Sequence, residues 1–322
     1  MIDRATFVER RRSGIGGSDI AAIVGLSPFA TAYDVWRSKV EPDAAREAEI
    51  SGKMAVRLGV ELEDFAARIF TEATGKRVQR CNHQFAAPEV PYFIANLDRV
   101  VKDGNTAPVV RGELRTREIV ECKTSSMRGE WGEPGSAEIP EHYLCQTQWQ
   151  MGVTGAAVVW VPVVFLTVPY AFELYRVERD EDTIAYLFQQ GGEFWRHVAS
   201  AEPPPVQTYA DAARRWSGSA GDSVTADASL MAAIADYKQM TAIIDEAERT
   251  RDVLKARICA AMGDATELRT EDGRKLASWS ASKEGTKIDY KGIVEELAPN
   301  HAIIQKYSQT YNTARRFTLA GK

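Results

Sequence analysis

Three acids and one amine occupy positions from which they could act together. In Ile119-Val120-Glu121-Cys122-Lys123, the alternation of an extended chain sends Glu121 and Lys123 to one face and Val120 and Cys122 to the other. An acid and a base then stand side by side where a half-buried strand would carry apolar residues. The apolar segment Tyr92-Phe93-Ile94-Ala95-Asn96-Leu97-Asp98 ends in a second acid. If strand pairing joins these segments, the two carboxylates repel unless a cation lies between them. Glu63, on a helical stretch after Gly59, could supply a third. Hard oxygen donors with open positions suit Mg²⁺ or Mn²⁺, whereas zinc would ask for His and Cys. The competing reading is a solvated ion pair on an edge strand, worth about 0–1 kcal/mol. An acid-x-Lys tripeptide alone does not choose between the two. His83, His142, His197 and His301, like Cys81, Cys122, Cys145 and Cys259, show no ligand spacing.

Several elements must position these groups. Ser18 or Asp19 is expected to cap a short helix that Gly25 stops, and Thr31 opens another through Trp36. From Val56 to Ala73, Leu58, Leu62, Phe65, Ala66, Ile69 and Phe70 share one helical face, with Gly75 as the end. Strands are expected over Tyr92–Val101 and Arg117–Lys123. A helix follows over Pro140–Thr154, on which Gln146 and Gln150 share a face while Gln148 points elsewhere. Two paired strands, Ala156–Val168 and Tyr170–Arg179, come next. This order predicts an α/β or mixed α+β fold, a central mixed sheet flanked by helices. Turn-formers at 217–223 divide a core domain, residues 1–216, from an accessory module, residues 222–322. That module is expected to hold a helix from Ser229 to Met262, about 50 Å long if continuous, or a helical hairpin, and then a β-hairpin around Glu271–Gly273.

The chain has 322 residues, 44% hydrophobic and 26% charged, with a net charge of −5, so a globally basic nucleic-acid coat is excluded while a local basic patch is not. The charged N-terminus lacks a secretory apolar region, and no stretch reaches the ~20 apolar residues of a membrane span. No membrane partner and a reducing cytoplasm are the expectation.

Residues from about 10 to 200 resemble the YqaJ and phage lambda exonuclease family of viral recombination nucleases, within the PD-(D/E)xK superfamily. The resemblance runs in order through Arg11-Arg12-Ser13-Gly14-Ile15-Gly16-Gly17-Ser18-Asp19-Ile20, Arg57-Leu58-Gly59-Val60-Glu61-Leu62-Glu63, Asn96-Leu97-Asp98, Glu121-Cys122-Lys123 and Tyr143-Leu144-Cys145-Gln146-Thr147-Gln148-Trp149. It implies a restriction-endonuclease-like core. Asp98, Glu121, the Cys122 carbonyl and Glu63 would bind metal, two Mg²⁺ or Mn²⁺ ions per site. Glu63 is preferred to Glu61. Lys123 would orient or deprotonate the attacking water. Gln148 is the favoured catalytic glutamine, Gln146 a DNA contact. Ser18 and Arg11, the latter preferred to Arg12, would hold phosphate, the arginine at a 5′ terminus. The implied activity is 5′ to 3′ hydrolysis of one strand of linear duplex DNA, releasing 5′-mononucleotides and leaving a 3′ overhang for strand annealing. Implied partners are duplex ends, a homotrimeric ring of the chain lined by groups such as Arg11, Arg12 and Lys39, and a strand-annealing recombinase or single-strand-binding protein. The setting would be the cytoplasm of a bacterial host, with the gene carried by a phage or prophage. A structure-selective or single-strand endonuclease, and a non-catalytic DNA-binding accessory protein, are the alternatives.

Overall fold

The computed structural model describes residues 12–41, 49, 52–216, 218, 221 and 223–280. The chain divides into two units, Met1–Ser217 and Gly218–Lys322.

In the first unit, α1 (Gly17–Ile23), α2 (Ala32–Val40) and α3 (Met54–Thr74) precede the strands. Thr31 caps α2 as expected, exchanging hydrogen bonds with Asp34. For α1 the expected cap is displaced. Gly16 is the N-cap, and Asp19 lies three residues on, where its Oδ2 accepts the Gly16 N–H at 3.1 Å. Ser18 is thereby left exposed on the first turn.

The strands are β1 (Val78–Arg80), β2 (Gln84–Ala86), β3 (Ile94–Asn96), β4 (Arg99–Val101), β5 (Val109–Val110), β6 (Glu113–Leu114), β7 (Glu118–Val120) and β8 (Lys123–Ser125). They are followed by α4 (Glu141–Thr154), β9 (Val158–Phe165), β10 (Ala171–Glu178), α5 (Glu181–Ser200) and α6 (Tyr209–Arg215). The central sheet runs β1-β4-β7-β9-β10, with β8 also on β9. Its β7–β9 and β8–β9 pairs are parallel and the others antiparallel. It is the mixed sheet with helices that the element order predicts.

Both sheet faces are buried, as the alternation along β7 shows. Ile119 joins the large core with Val100, Trp149, Val159 and Leu187, while Val120 joins Phe70 of α3 and Val101. Helix α4 therefore covers one face and α3 the other. Trp149, fully buried, donates its Nε1 hydrogen to the Ile94 carbonyl at 3.0 Å and packs on Phe93 and Phe188. Helix α5 can approach it because position 191 is glycine: a Cβ there would lie 2.9 Å from the Trp149 ring.

Two expected strands are interrupted. The chain from Tyr92 changes partner at Leu97-Asp98, so β3 pairs with β2 and β4 with β1 and β7. The expected strand through Lys123 breaks at Glu121-Cys122. The register of β7 and β8 on β9 is continuous across the gap, which sets Glu121 and Cys122 beside Val161 and Pro162. The Glu121 N–H still reaches the Trp160 carbonyl at 2.9 Å. Pro162, however, has no N–H to return to the Glu121 carbonyl, and the ladder fails there.

In the second unit, α7 (Ala228–Met262) is one continuous helix, not a hairpin, and β11 (Glu267–Arg269) pairs with β12 (Lys275–Ser278). Among the described residues no helix is long and apolar enough to cross a membrane.

Candidate active site

The interruption of β7 and the partner change before β4 fall at the same place. Arg99 lies opposite Val120 and Val100 opposite Ile119, and one further step of this antiparallel register sets Asp98 opposite Glu121. The Cys122 N–H, released from the ladder, donates to Asp98 Oδ2 at 2.8 Å. Glu121 and Lys123 point to the α4 side of the sheet, and Cys122 packs with Val120 and Phe70 on the other. The alternation expected from the sequence thus survives the break.

On the α4 side, Lys123 Nζ donates to Glu121 Oε1 at 2.8 Å and to Gln146 Oε1 at 2.9 Å. Gln146 Nε2 also donates to Glu121 Oε1, and Gln150 Nε2 donates to Glu121 Oε2 at 2.8 Å and to the Asn96 carbonyl at 3.2 Å. Gln146 and Gln150, one helical turn apart, therefore grip both oxygens of one buried carboxylate. Helix α1 seats this pair from outside, for Gly17 leaves a space in which a Cβ would lie 3.0 Å from Gln146 Cγ. Lys123 Nζ also lies 4.5 Å from the centre of the Tyr143 ring.

Electrostatics follows from this crowding. Burial, then the charge of Glu121, push the Asp98 carboxyl well above the ordinary aspartate range. Burial works against the charged form of Lys123, but Glu121 and Asp98 outweigh it and raise its pKa, so it is an ammonium at neutral pH. Burial and the Lys123 charge lower the pKa of His142.

The expected ligands are only partly assembled. Asp98 and Glu121 come together; Glu63 is on α3, where Arg99 engages it along with Asp64 and the Asp98 carbonyl. Arg80 also approaches Glu63, at 3.7 Å. Glu61 is exposed. Among the described residues no three His, Cys, Asp or Glu side chains form a metal-holding group. The chemistry of Asp98 and Glu121 nonetheless fits a hard divalent cation, because their mutual repulsion is what such an ion relieves.

Gln148 is a correction. It faces away from the cluster, donating to the Glu178 carbonyl at 2.7 Å and accepting from Asp180 N–H at 3.0 Å, so it ties α4 to the end of β10. Gln150 stands at Glu121 instead, and the shared face of Gln146 and Gln150 was the signal for it. Lys39 is corrected too. Its ammonium is buried against Asp19 at 2.8 Å and cannot line a DNA path. Arg12 is half-buried. Arg11 lies outside the described residues. Arg99, the buried cation at Glu63, gave no sequence signal beyond adjacency to Asp98.

With this geometry in view, residues 6–157 match the model of the YqaJ-like viral recombinase domain. Residues 6–157 are a YqaJ-like domain. All of the cluster lies within it. The protein YqaJ of Bacillus subtilis (strain 168) is 30% identical over 217 residues, 67% of this chain and 62% of that protein, so the chain spans less than two thirds of its relative's length. Among solved structures, the alkaline exonuclease LHK-Exo from Laribacter hongkongensis is similar at 18% identity, covering 61% of this chain and 93% of that one with a TM-score of 0.45. A phage-related exonuclease from Haemophilus somnus 129PT is similar at 12% identity, covering 58% and 94% with a TM-score of 0.38.

Proposed function

We propose that the chain is a divalent-metal-dependent exodeoxyribonuclease that hydrolyses one strand of linear duplex DNA from its 5′ end. The observation that carries this reading is the joint placement of Asp98, Glu121 and Lys123 at one break in the sheet, with two glutamine amides on Glu121. The YqaJ-like viral recombinase domain supports a role in recombination of the phage type.

Asp98, Glu121 and the Cys122 carbonyl would hold the ion, most readily Mg²⁺ or Mn²⁺. When bound, it would supply positive charge to the scissile phosphate and acidify a water. Two ions would draw on Glu63 as well; here Arg99 holds that carboxylate, so the proposal rests on one ion at Asp98 and Glu121. Lys123, whose ammonium donates to Glu121 and Gln146, would orient the attacking water or a phosphate oxygen. Gln146 and Gln150 fix the Glu121 carboxylate so that it presents a constant geometry. Ser18, exposed on the first turn of α1 beside the Gly17–Gln146 contact, would meet the DNA backbone. Arg11 at a 5′ phosphate, enclosure of DNA by a trimeric ring, and hand-over of the 3′ overhang to an annealing recombinase belong to the same proposal. A ring would explain how a chain of net charge −5 holds a polyanion.

The test is purified protein with Mg²⁺ and linear duplex labelled at either 5′ or 3′ ends. Acid-soluble nucleotides that accumulate from the 5′ label first support the proposal. Nicking of closed circular DNA would turn the reading to an endonuclease on the same core. No hydrolysis in Mg²⁺ or Mn²⁺ would leave a DNA-binding accessory protein.

A further inference from the structure

A row of aromatic rings leads from the Lys123 ammonium to the surface, and nothing in the proposed hydrolysis uses its outer end. The Tyr143 ring lies under Lys123 Nζ at 4.5 Å, and His142 packs on Tyr143 with ring centres 4.0 Å apart. Phe29 meets His142 edge-on at 5.5 Å and 83°. Phe29 itself is 72% exposed, so most of the ring is open to solvent. Its position is nonetheless held. The Ser27 hydroxyl accepts from the Phe29 and Ala30 N–H groups at 3.2 and 3.3 Å, and the Leu26 and Ser27 N–H groups bond the Ala21 carbonyl of α1. The exposed ring is thus fixed in place at the outer end of the row that starts at Lys123.

We propose that Phe29 is a stacking platform for the nucleobase of the nucleotide beside the scissile phosphate. The inference rests on the nuclease reading and deepens it. The occupant follows from continuity with the candidate active site. A phosphate at Lys123 would bring the bases of its strand toward the row of rings that ends in Phe29, and every base offers a π face irrespective of sequence. Stacking would draw the end nucleotide off its neighbour and steady it while Lys123 orients the attack. Phe29 would then set how tightly an end is held, not how fast the bond breaks.

The experiment places 2-aminopurine in turn at the first, second and third nucleotides from a duplex end and reads its quenching by the full-length protein in Ca²⁺. Quenching at one position is expected, kept by Phe29→Trp and lost in both Phe29→Ala and Phe29→Leu; leucine fills space without stacking. In Mg²⁺, Phe29→Ala should raise the half-saturating duplex concentration about 10-fold with kcat and the melting temperature little changed. An abasic nucleotide at the quenched position should erase that difference. Quenching or DNA dependence that is the same in wild type and Phe29→Ala would overturn the platform even where hydrolysis proceeds. Phe29-dependent quenching without hydrolysis in Mg²⁺ would keep the platform and remove the nuclease.

Discussion

Glu121 is the residue on which the site converges, taking hydrogen bonds from Lys123, Gln146 and Gln150. Glu121→Ala and Lys123→Ala are each expected to lower the rate of DNA hydrolysis by about 10²–10⁴-fold in a single-turnover assay, with the fold retained by circular dichroism. The two glutamines of the family block divide by what they touch. Gln146→Ala should slow hydrolysis with a modest change in melting temperature. Gln148→Ala leaves the Glu178 carbonyl and the Asp180 N–H without a partner, and should cost about 1–3 kcal/mol of stability in urea titrations while sparing kcat. Asp98 gives a pH dependence whose sign is fixed. Its carboxyl keeps a proton to higher pH in the folded protein than in the unfolded chain, so the unfolded state binds fewer protons and stability falls as pH rises. In metal-free protein that fall begins near the ordinary aspartate value of about 4 and ends at the raised folded value. Asp98→Asn should flatten it, as urea midpoints across this range would report.

At the scale of elements, the sheet makes the site by failing in two places. β3 gives way to β4 where the chain changes partner, and β7 to β8 where Pro162 offers no hydrogen. Alternation in the sequence correctly assigned the faces of Glu121 and Lys123. It could not place the breaks, because a break depends on what the neighbouring strand lacks. Gln150 was missed and Gln148 preferred for a related reason: a helix face is legible from spacing, but which face meets Glu121 depends on how α4 lies on the sheet. That seating relies on close contact with α5. Gly191→Ala would drive a methyl group into Trp149 and Phe93 and is expected to destabilise by about 1–3 kcal/mol, read as a lower melting temperature.

For the whole molecule, among the described residues the buried core clusters and the candidate site lie in the unit Met1–Ser217, whereas the long helix α7 of the unit Gly218–Lys322 exposes Leu230, Met240, Ile244, Leu254 and Ile258. A chain ending at Ser217 is therefore expected to melt cooperatively and to keep hydrolysis of linear duplex within about 10-fold of the full chain. Scanning calorimetry and the same end-labelled substrate would check both. The sequence by itself determined the mixed sheet with helices, the helices around Val56–Ala73 and Pro140–Thr154, the faces of Glu121 and Lys123, and the blocks that carry the family resemblance, because periodicity and residue chemistry are local properties. Tertiary structure decided that Asp98 stands opposite Glu121, that Arg99 takes Glu63, that Lys39 is buried on Asp19, and that Gln150 rather than Gln148 grips the carboxylate. Each of those depends on register and on the approach of segments distant along the chain, which no local pattern records.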